Sequence, residues 1–333
     1  MTQYHAIVDS AGGADFTSIQ AAIEAAPEND APYRIFIRKG HYPERLTIAR
    51  AKVSLVGECA RETVIDCKIA NQMVLDDGSI GGTYGSRVVI VDNQHCTLAH
   101  LTIRNSFDFI ANQAKNDSDP SKLTHTQSVA LLVGQHADYF IGHDLILDSY
   151  HDTLYVSAGH SYFSTCHILG CIDFIFGGGS ALFEQCRITC RARSDRPKDA
   201  LWGYIAAPST PHCVPLGLVF YRCVIDAEAD VPKGSYALGR PWHPTTHFSD
   251  GHYADPNAIG HCAYLACELG EHVSDWTSMS GRDRDGKRVW FTPEQSRFEL
   301  VDNRGEGAHA LTQQQREIDE HSKLGWKPQQ PFS

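Results

Sequence analysis

The chain of 333 residues is informative first in what it lacks. No apolar run approaches the roughly 20 residues a helix needs to cross a hydrocarbon core, which excludes a helical membrane span. No basic run occurs and the formal net charge is -11. Such a surface is repelled by phosphate backbones and anionic headgroups, so nucleic acid and membranes are poor partners. Residues 1–10 have neither the charged n-region nor the apolar h-region of a secretory signal. As written, the chain is expected in the cytoplasm, or secreted or periplasmic if a leader was removed. No Pro-, Gly- or Ser-rich linker divides it. With 42% hydrophobic and 21% charged residues, 1–333 reads as one domain able to bury a sizeable core. Eleven cysteines, an odd number without regular short spacing, argue against a disulfide framework. They suit buried thiols in a reducing compartment. Among 18 histidines no pair has the spacing of a helical zinc motif, and Cys186/Cys190 and Cys262/Cys267 lack further partners. No metal is expected.

What is present is a repeat. Segments 96–105, 139–148, 161–170, 181–190 and 218–227 align without gaps. The third column reads Leu98, Ile141, Phe163, Phe183, Phe220, and the sixth Leu101, Asp144, Cys166, Cys186, Cys223. The eighth is Ile103, Ile146, Ile168, Ile188, Ile225, at spacings of 43, 22, 20 and 37 residues. On this alignment the first gap holds two turns, and the last holds one turn plus a long loop. The runs alternate, favour branched and aromatic residues and are broken by Gly, Asn, Asp and Ser, so they read as strands. No row can bury its own apolar face, and stacking creates one continuous core. Strands stacked at about 20 residues per turn describe an all-β parallel β-helix. The isoleucine column is scaffold.

The ends and gaps carry weaker signals. Thr17 is placed to cap a short helix with Ile19, Ala22, Ile23 and Ala26 on its apolar face, covering the open N-terminal end of the solenoid. A helical tail is read over 312–324. The polar stretch 105–127 reads as a long loop beside the working face. Cys166 and Cys186 share a column on adjacent turns; they could bridge in an exported protein and are core residues in the cytoplasm.

Chemistry enters with Asp152 and Asp173, which lie 21 residues apart, one turn of the repeat. Residues one turn apart sit about 4.8 Å from each other across adjacent rungs. Two carboxyls that close cannot behave alike: one is pushed towards the protonated form while the other stays ionised, the pairing a hydrolase needs. Gln127 precedes Asp152 by 25 residues, which brings a carboxamide to the same place one turn earlier, a candidate oxyanion donor. Taken singly, each Asp is a turn former. Their coincidence with the period raises the functional reading.

Five ordered blocks then resemble the pectin methylesterase family, from about residue 4 to 326 and most closely its bacterial, plant-pathogen type. They are Gly40-His41-Tyr42-Pro43-Glu44, Gln127-Ser128-Val129-Ala130-Leu131, His151-Asp152-Thr153-Leu154-Tyr155, Gly170-Cys171-Ile172-Asp173-Phe174-Ile175-Phe176-Gly177 and Leu238-Gly239-Arg240-Pro241-Trp242. The resemblance implies a right-handed parallel β-helix that demethylates galacturonate esters in pectin or methylated oligogalacturonides with no cofactor; a monomer is expected. It implies Asp173 as nucleophile, held as a carboxylate by Arg240, and Asp152 as general acid and then base. Gln127 would donate to the oxyanion. The family usually has a second oxyanion glutamine where this chain has His151, and an imidazole there would add a pH dependence near its titration. Ser128 replaces a frequent alanine. Phe176 and Trp242 are implied as sugar platforms, with Tyr155, Thr83, Thr245 and Met279 completing the subsites. Plain strand alternation puts Phe176 on the face opposite Asp173, so a turn near Gly177 would have to bring both to one cleft. An esterase or acyl thioesterase on another substrate is the alternative, and a non-catalytic carbohydrate binder the third.

Overall fold

The structure is a computed structural model that describes residues 4–75 and 77–314. Short strands wind into a right-handed parallel β-helix with three long sheets. The first has ten strands, from Ala6–Val8 to Arg297–Val301; the second has eight, from Gly40–Tyr42 to Glu268–Leu269, and the third eight, from Leu46–Ile48 to Val273–Ser274. Among the described residues no helix is long and apolar enough to cross a membrane.

From strand Thr97–Ala99 onwards, the chain leaves each strand of the first sheet through one residue in the left-handed region. His100, Asp144, Thr165, Gln185, Arg222, Ala266 and Asp302 form this ladder, with φ between 48 and 55°. None is glycine, so each carries a cost of roughly 1–2 kcal/mol that stacking must offset. Inside the corner, Phe163, Phe183, Phe220 and Tyr264 stack at centroid distances of 5.0, 4.8 and 4.5 Å. Beside them runs a file of thiols: Cys166, Cys186, Cys223 and Cys267 each donate to a carbonyl of the neighbouring turn, those of Gly142, Phe163, Phe183 and Phe220. Cys166 and Cys186 are unbonded and buried.

The ladder corrects the alignment in one row. Leu98 pairs with Gly142, and Gly142 with Phe163, so the row begun at Tyr139 belongs one residue later. The shift moves Asp144 out of the apolar sixth column into the corner and brings Leu145 in. The eighth column becomes Ile103, Leu147, Ile168, Ile188, Ile225. Gly142 is required there because a Cβ would stand 2.8 Å from the Phe163 ring. The first gap also holds one turn and not two, since Thr97–Ala99 pairs directly with Phe140–His143. Its extra length is an excursion that leaves after Asn105, itself the end of strand Thr102–Asn105. Within it is a short helix, Phe109–Gln113, capped by Asp108, so the stretch is not all loop.

At the N-terminal end a helix, Ile19–Glu24, buries Ile19, Ala22 and Ile23 against the first strands. Its cap is Ser18 and not Thr17: Ser18 Oγ accepts from Ala21 N and donates to Glu44, whose carboxylate also takes the N–H groups of Ile19 and Gln20. That carboxylate fixes where the helix starts. Gln314 is bridged in parallel to Val301, so the expected tail does not begin as helix; its residues 315–324 lie outside the described ones. Two antiparallel hairpins follow third-sheet strands: Thr245–Phe248 with Gly251–Ala254, and Met279–Arg282 with Arg288–Phe291.

Candidate active site

The outer face of the third sheet is apolar where a solvated sheet would be polar. Ile90, Leu132, Tyr155, Phe176 and Ala207 occupy successive rungs in register, with Val129 and Trp242 packed on them. Tyr155 stacks on Phe176 at 4.3 Å, and Trp242 meets both edge-on at 6.2 and 5.5 Å. This strip floors a cleft of about 450 Å³. Gln127, His151, Asp152 and Asp173 line it, as do Tyr155, Phe176 and Trp242. Thr83, Thr245 and Met279 line it as well. Every sequence candidate therefore reaches this cleft except Arg240, which contacts it through Asp173.

Asp152 sits just before strand Leu154–Val156 with φ 65°, its N–H donating to Ile172 O at 3.0 Å. Asp173 lies one turn on, in strand Ile172–Gly177, with φ 48°. The register against Gly203–Pro208 shifts between Ile172 and Ile175, a bulge that inserts one residue. Phe174 and Ile175 both point inward as a result, and Asp173 and Phe176 both face the cleft. The change of parity arises at Asp173 itself, not in a turn near Gly177.

The two carboxyls differ in their partners. Asp173 accepts two parallel hydrogen bonds from Arg240, Nε to Oδ1 at 2.9 Å and Nη2 to Oδ2 at 2.6 Å. The Arg240 guanidinium lies 3.7 Å over the Tyr204 ring, so its plane is held by stacking as well as by the fork. Asp152 has no such cation. Its burial, and then the negative charge of Asp173, push its carboxyl well above the usual range against a smaller opposing effect of Arg240. Burial and the neighbouring anion thus favour its protonated form, beside the ion pair of Asp173 and Arg240.

His151 contradicts the expected titration. Burial, followed by the positive fields of Arg240 and Arg193, pushes it down to about 3, so the ring is neutral across the physiological range. Its Nδ1 is 3.0 Å from Thr126 Oγ1, and its Nε2 is 3.4 Å from Asp152 Oδ1. Gln127 Oε1 is buried without a partner among the described residues. An orphan carbonyl of this kind costs on the order of 1–3 kcal/mol, a cost a bound donor would relieve.

Several cleft residues escaped sequence reasoning. Tyr84 and Pro244 line the wall, and Ala207 the floor, while Thr126 and Tyr204 support His151 and Arg240. Tyr204 and Ala207 belong to a strand outside the aligned rows, and Tyr84 to a four-residue helix without periodicity. Among the described residues no cluster of three or more His, Cys, Asp or Glu could hold a metal ion.

Known proteins resemble this chain over nearly its whole length. The Pectinesterase family profile matches residues 5–250. Over 320 residues the chain is 45% identical to Pectinesterase A of Dickeya chrysanthemi, covering 95% of this chain and 87% of that protein. A crystal structure of a pectin methylesterase in complex with a hexasaccharide superposes with TM-score 0.95 at 43% identity, over 99% of this chain and 100% of that one. The pectin methylesterase from Yersinia enterocolitica matches with TM-score 0.89 at 44% identity, over 93% and 96%.

Proposed function

The chain belongs to the pectinesterase family of carbohydrate esterases, and from that premise we propose that it hydrolyses methyl esters of galacturonate in pectin or its oligomers. The observation that carries the reading is the asymmetry of two buried carboxyls on adjacent turns, one gripped by a guanidinium and one not.

In the first step an Asp173 oxygen attacks the ester carbonyl carbon, and the carbonyl oxygen becomes an oxyanion that takes a hydrogen bond from the Gln127 amide. Such a donor is commonly worth about 3 kcal/mol. As the carbon–methoxyl bond breaks, Asp152 gives its proton to the departing oxygen and methanol leaves. An anhydride then joins Asp173 to the galacturonate carboxyl. Water attacks the galacturonate carbonyl of that anhydride, Asp152, now ionised, takes its proton, and the bond to Asp173 breaks. The products are a galacturonic acid carboxyl, which loses its proton to solvent to become galacturonate, and the original pair of one acid and one carboxylate. Arg240 keeps the Asp173 carboxylate oriented throughout. Tyr155, Phe176 and Trp242 supply aromatic faces for sugar rings, and Thr83, Thr245 and Met279 bound the subsites.

The test is methanol release from methylated polygalacturonate and from short methylated oligogalacturonides, side by side, with Asp173→Ala as control. The expected result is methanol from the unmodified protein and none from a folded Asp173→Ala variant. Turnover of a simple thioester with no methanol from either carbohydrate would reverse the assignment.

A further inference from the structure

The hairpin of Met279–Arg282 and Arg288–Phe291 has two faces with different fates. Strand alternation puts Met279, Gly281, Val289 and Phe291 on one, and Ser280, Arg282, Arg288 and Trp290 on the other; exposure alternates in step. The first face is occupied. Met279 lines the cleft and Phe291 stacks on His243 at 3.5 Å. The second is open to solvent, with Trp290 59% exposed. Arg282 uses one amino group on the Gly286 carbonyl at 2.8 Å. The Arg288 side chain has neither a hydrogen bond nor an ion pair among the described residues.

Two features of this face carry a cost in the free protein. Arg282 and Arg288 stand directly opposite each other, and like charges so placed on paired strands repel. The indole leaves a large apolar surface in water. Residues 282–288 hold four basic and two acidic side chains, and Asp250 pairs with Arg284 at 3.1 Å, so this tip keeps a small positive excess, which includes Arg282 and Arg288, in a chain of net charge -11. A ligand with carboxylates and an apolar ring face would relieve both costs.

The geometry points to a second polysaccharide-binding surface on this outer face, for de-esterified galacturonate chains. The indole packs against the C–H face of a pyranose ring, and the two guanidiniums fork onto ring carboxylates. The proposal rests on the esterase reading for the identity of the sugar, because carboxylates are what that reaction leaves behind. Since the same hairpin carries Met279 into the cleft, a polymer crossing its edge meets Trp290 and the arginines. Product-rich stretches are thereby held beside the active site against the repulsion of the whole molecule.

The experiment compares the full chain with the variant Arg282→Ser/Arg288→Ser/Trp290→Ala. Fully de-esterified polygalacturonate is titrated into each by calorimetry at low and high salt, and methanol release is measured on a short methylated oligogalacturonide confined to the cleft. The variant is expected to bind the polymer about tenfold more weakly, with a flatter salt dependence, at an unchanged rate on the short substrate. Equal polymer affinity in the two proteins overturns the proposal, as does a matching loss on the short substrate. If the unmodified protein releases no methanol the esterase reading falls, while the difference in polymer affinity still decides this one.

Discussion

The Nε2 atom of His151 lies 3.4 Å from Oδ1 of Asp152, and the ring's other nitrogen is engaged by Thr126 Oγ1 at 3.0 Å. An imidazole pushed down by burial thus adjoins a carboxyl pushed up by burial and by Asp173, in a position where the ring faces both the acid and the cleft.

His151→Gln is therefore expected to keep demethylating, with a pH–rate profile between about pH 6 and 7 that superposes on that of the parent, because the buried ring does not titrate there. Stability changes instead. A group held near 3 when folded and near 6.5 when unfolded contributes stability above about pH 6.5 that is lost as pH falls towards 3. Thermal melts of the variant should accordingly lose less on acidification than those of the parent. An inflection near pH 6.5 that vanishes in the variant would show that the ring is charged in the working enzyme.

Asp152→Asn separates rate from stability. Methanol release should fall by about 10²- to 10⁴-fold, the usual worth of a positioned general acid and base. The folded carboxyl is raised above its ordinary 3.8, so the stability tied to its proton is present below that value and lost as pH rises through the folded pKa. The amide carries no such charge. The variant's melting temperature should match the parent's near pH 4 and exceed it at neutral pH. Equal melting temperatures at both would mean that Asp152 is not held protonated.

Arg240→Lys keeps the charge and removes the fork. The ammonium cannot reproduce the paired 2.9 and 2.6 Å bonds or the stack on Tyr204. A rate loss of roughly 10²-fold with KM little changed is expected, as for a small misplacement of a reacting group. Steady-state kinetics on one substrate checks it, and a rate near that of the parent would reduce Arg240 to a point charge.

Phe176→Ala and Trp242→Ala should differ. Phe176 is 3% exposed and stacked on Tyr155 at 4.3 Å, so its loss should raise KM and also destabilise by about 3–5 kcal/mol. Trp242 is only partly buried in a loop, and its loss should act chiefly on KM. Urea unfolding beside the kinetics distinguishes the two, and a Phe176→Ala variant of full stability would contradict the packing described.

The scaffold was legible because a stacked solenoid writes its period directly into the chain: the column from Ile103 to Ile225 is one line of core contacts. The row at 139–148 slipped because Ile141, beside Gly142, and Ile146, between Leu145 and Leu147, mimic the inward pattern one position off. Only the pairing partner reveals which set is inside. The first gap misled for a related reason, since an excursion that returns to the same rung has the length of an extra turn.

By itself the sequence determined the class of fold, the family, and the turn-to-turn spacing that sets Gln127, Asp152 and Asp173 on successive coils. Those follow from local propensity and periodicity, which depend on neighbours along the chain. Only the tertiary structure decided that a bulge at Asp173 turns Phe176 into the cleft, that Arg240 reaches Asp173 across 67 positions, and that burial pushes the His151 imidazole down. Backbone register, desolvation and field are properties of the packed assembly, set by residues far away in sequence.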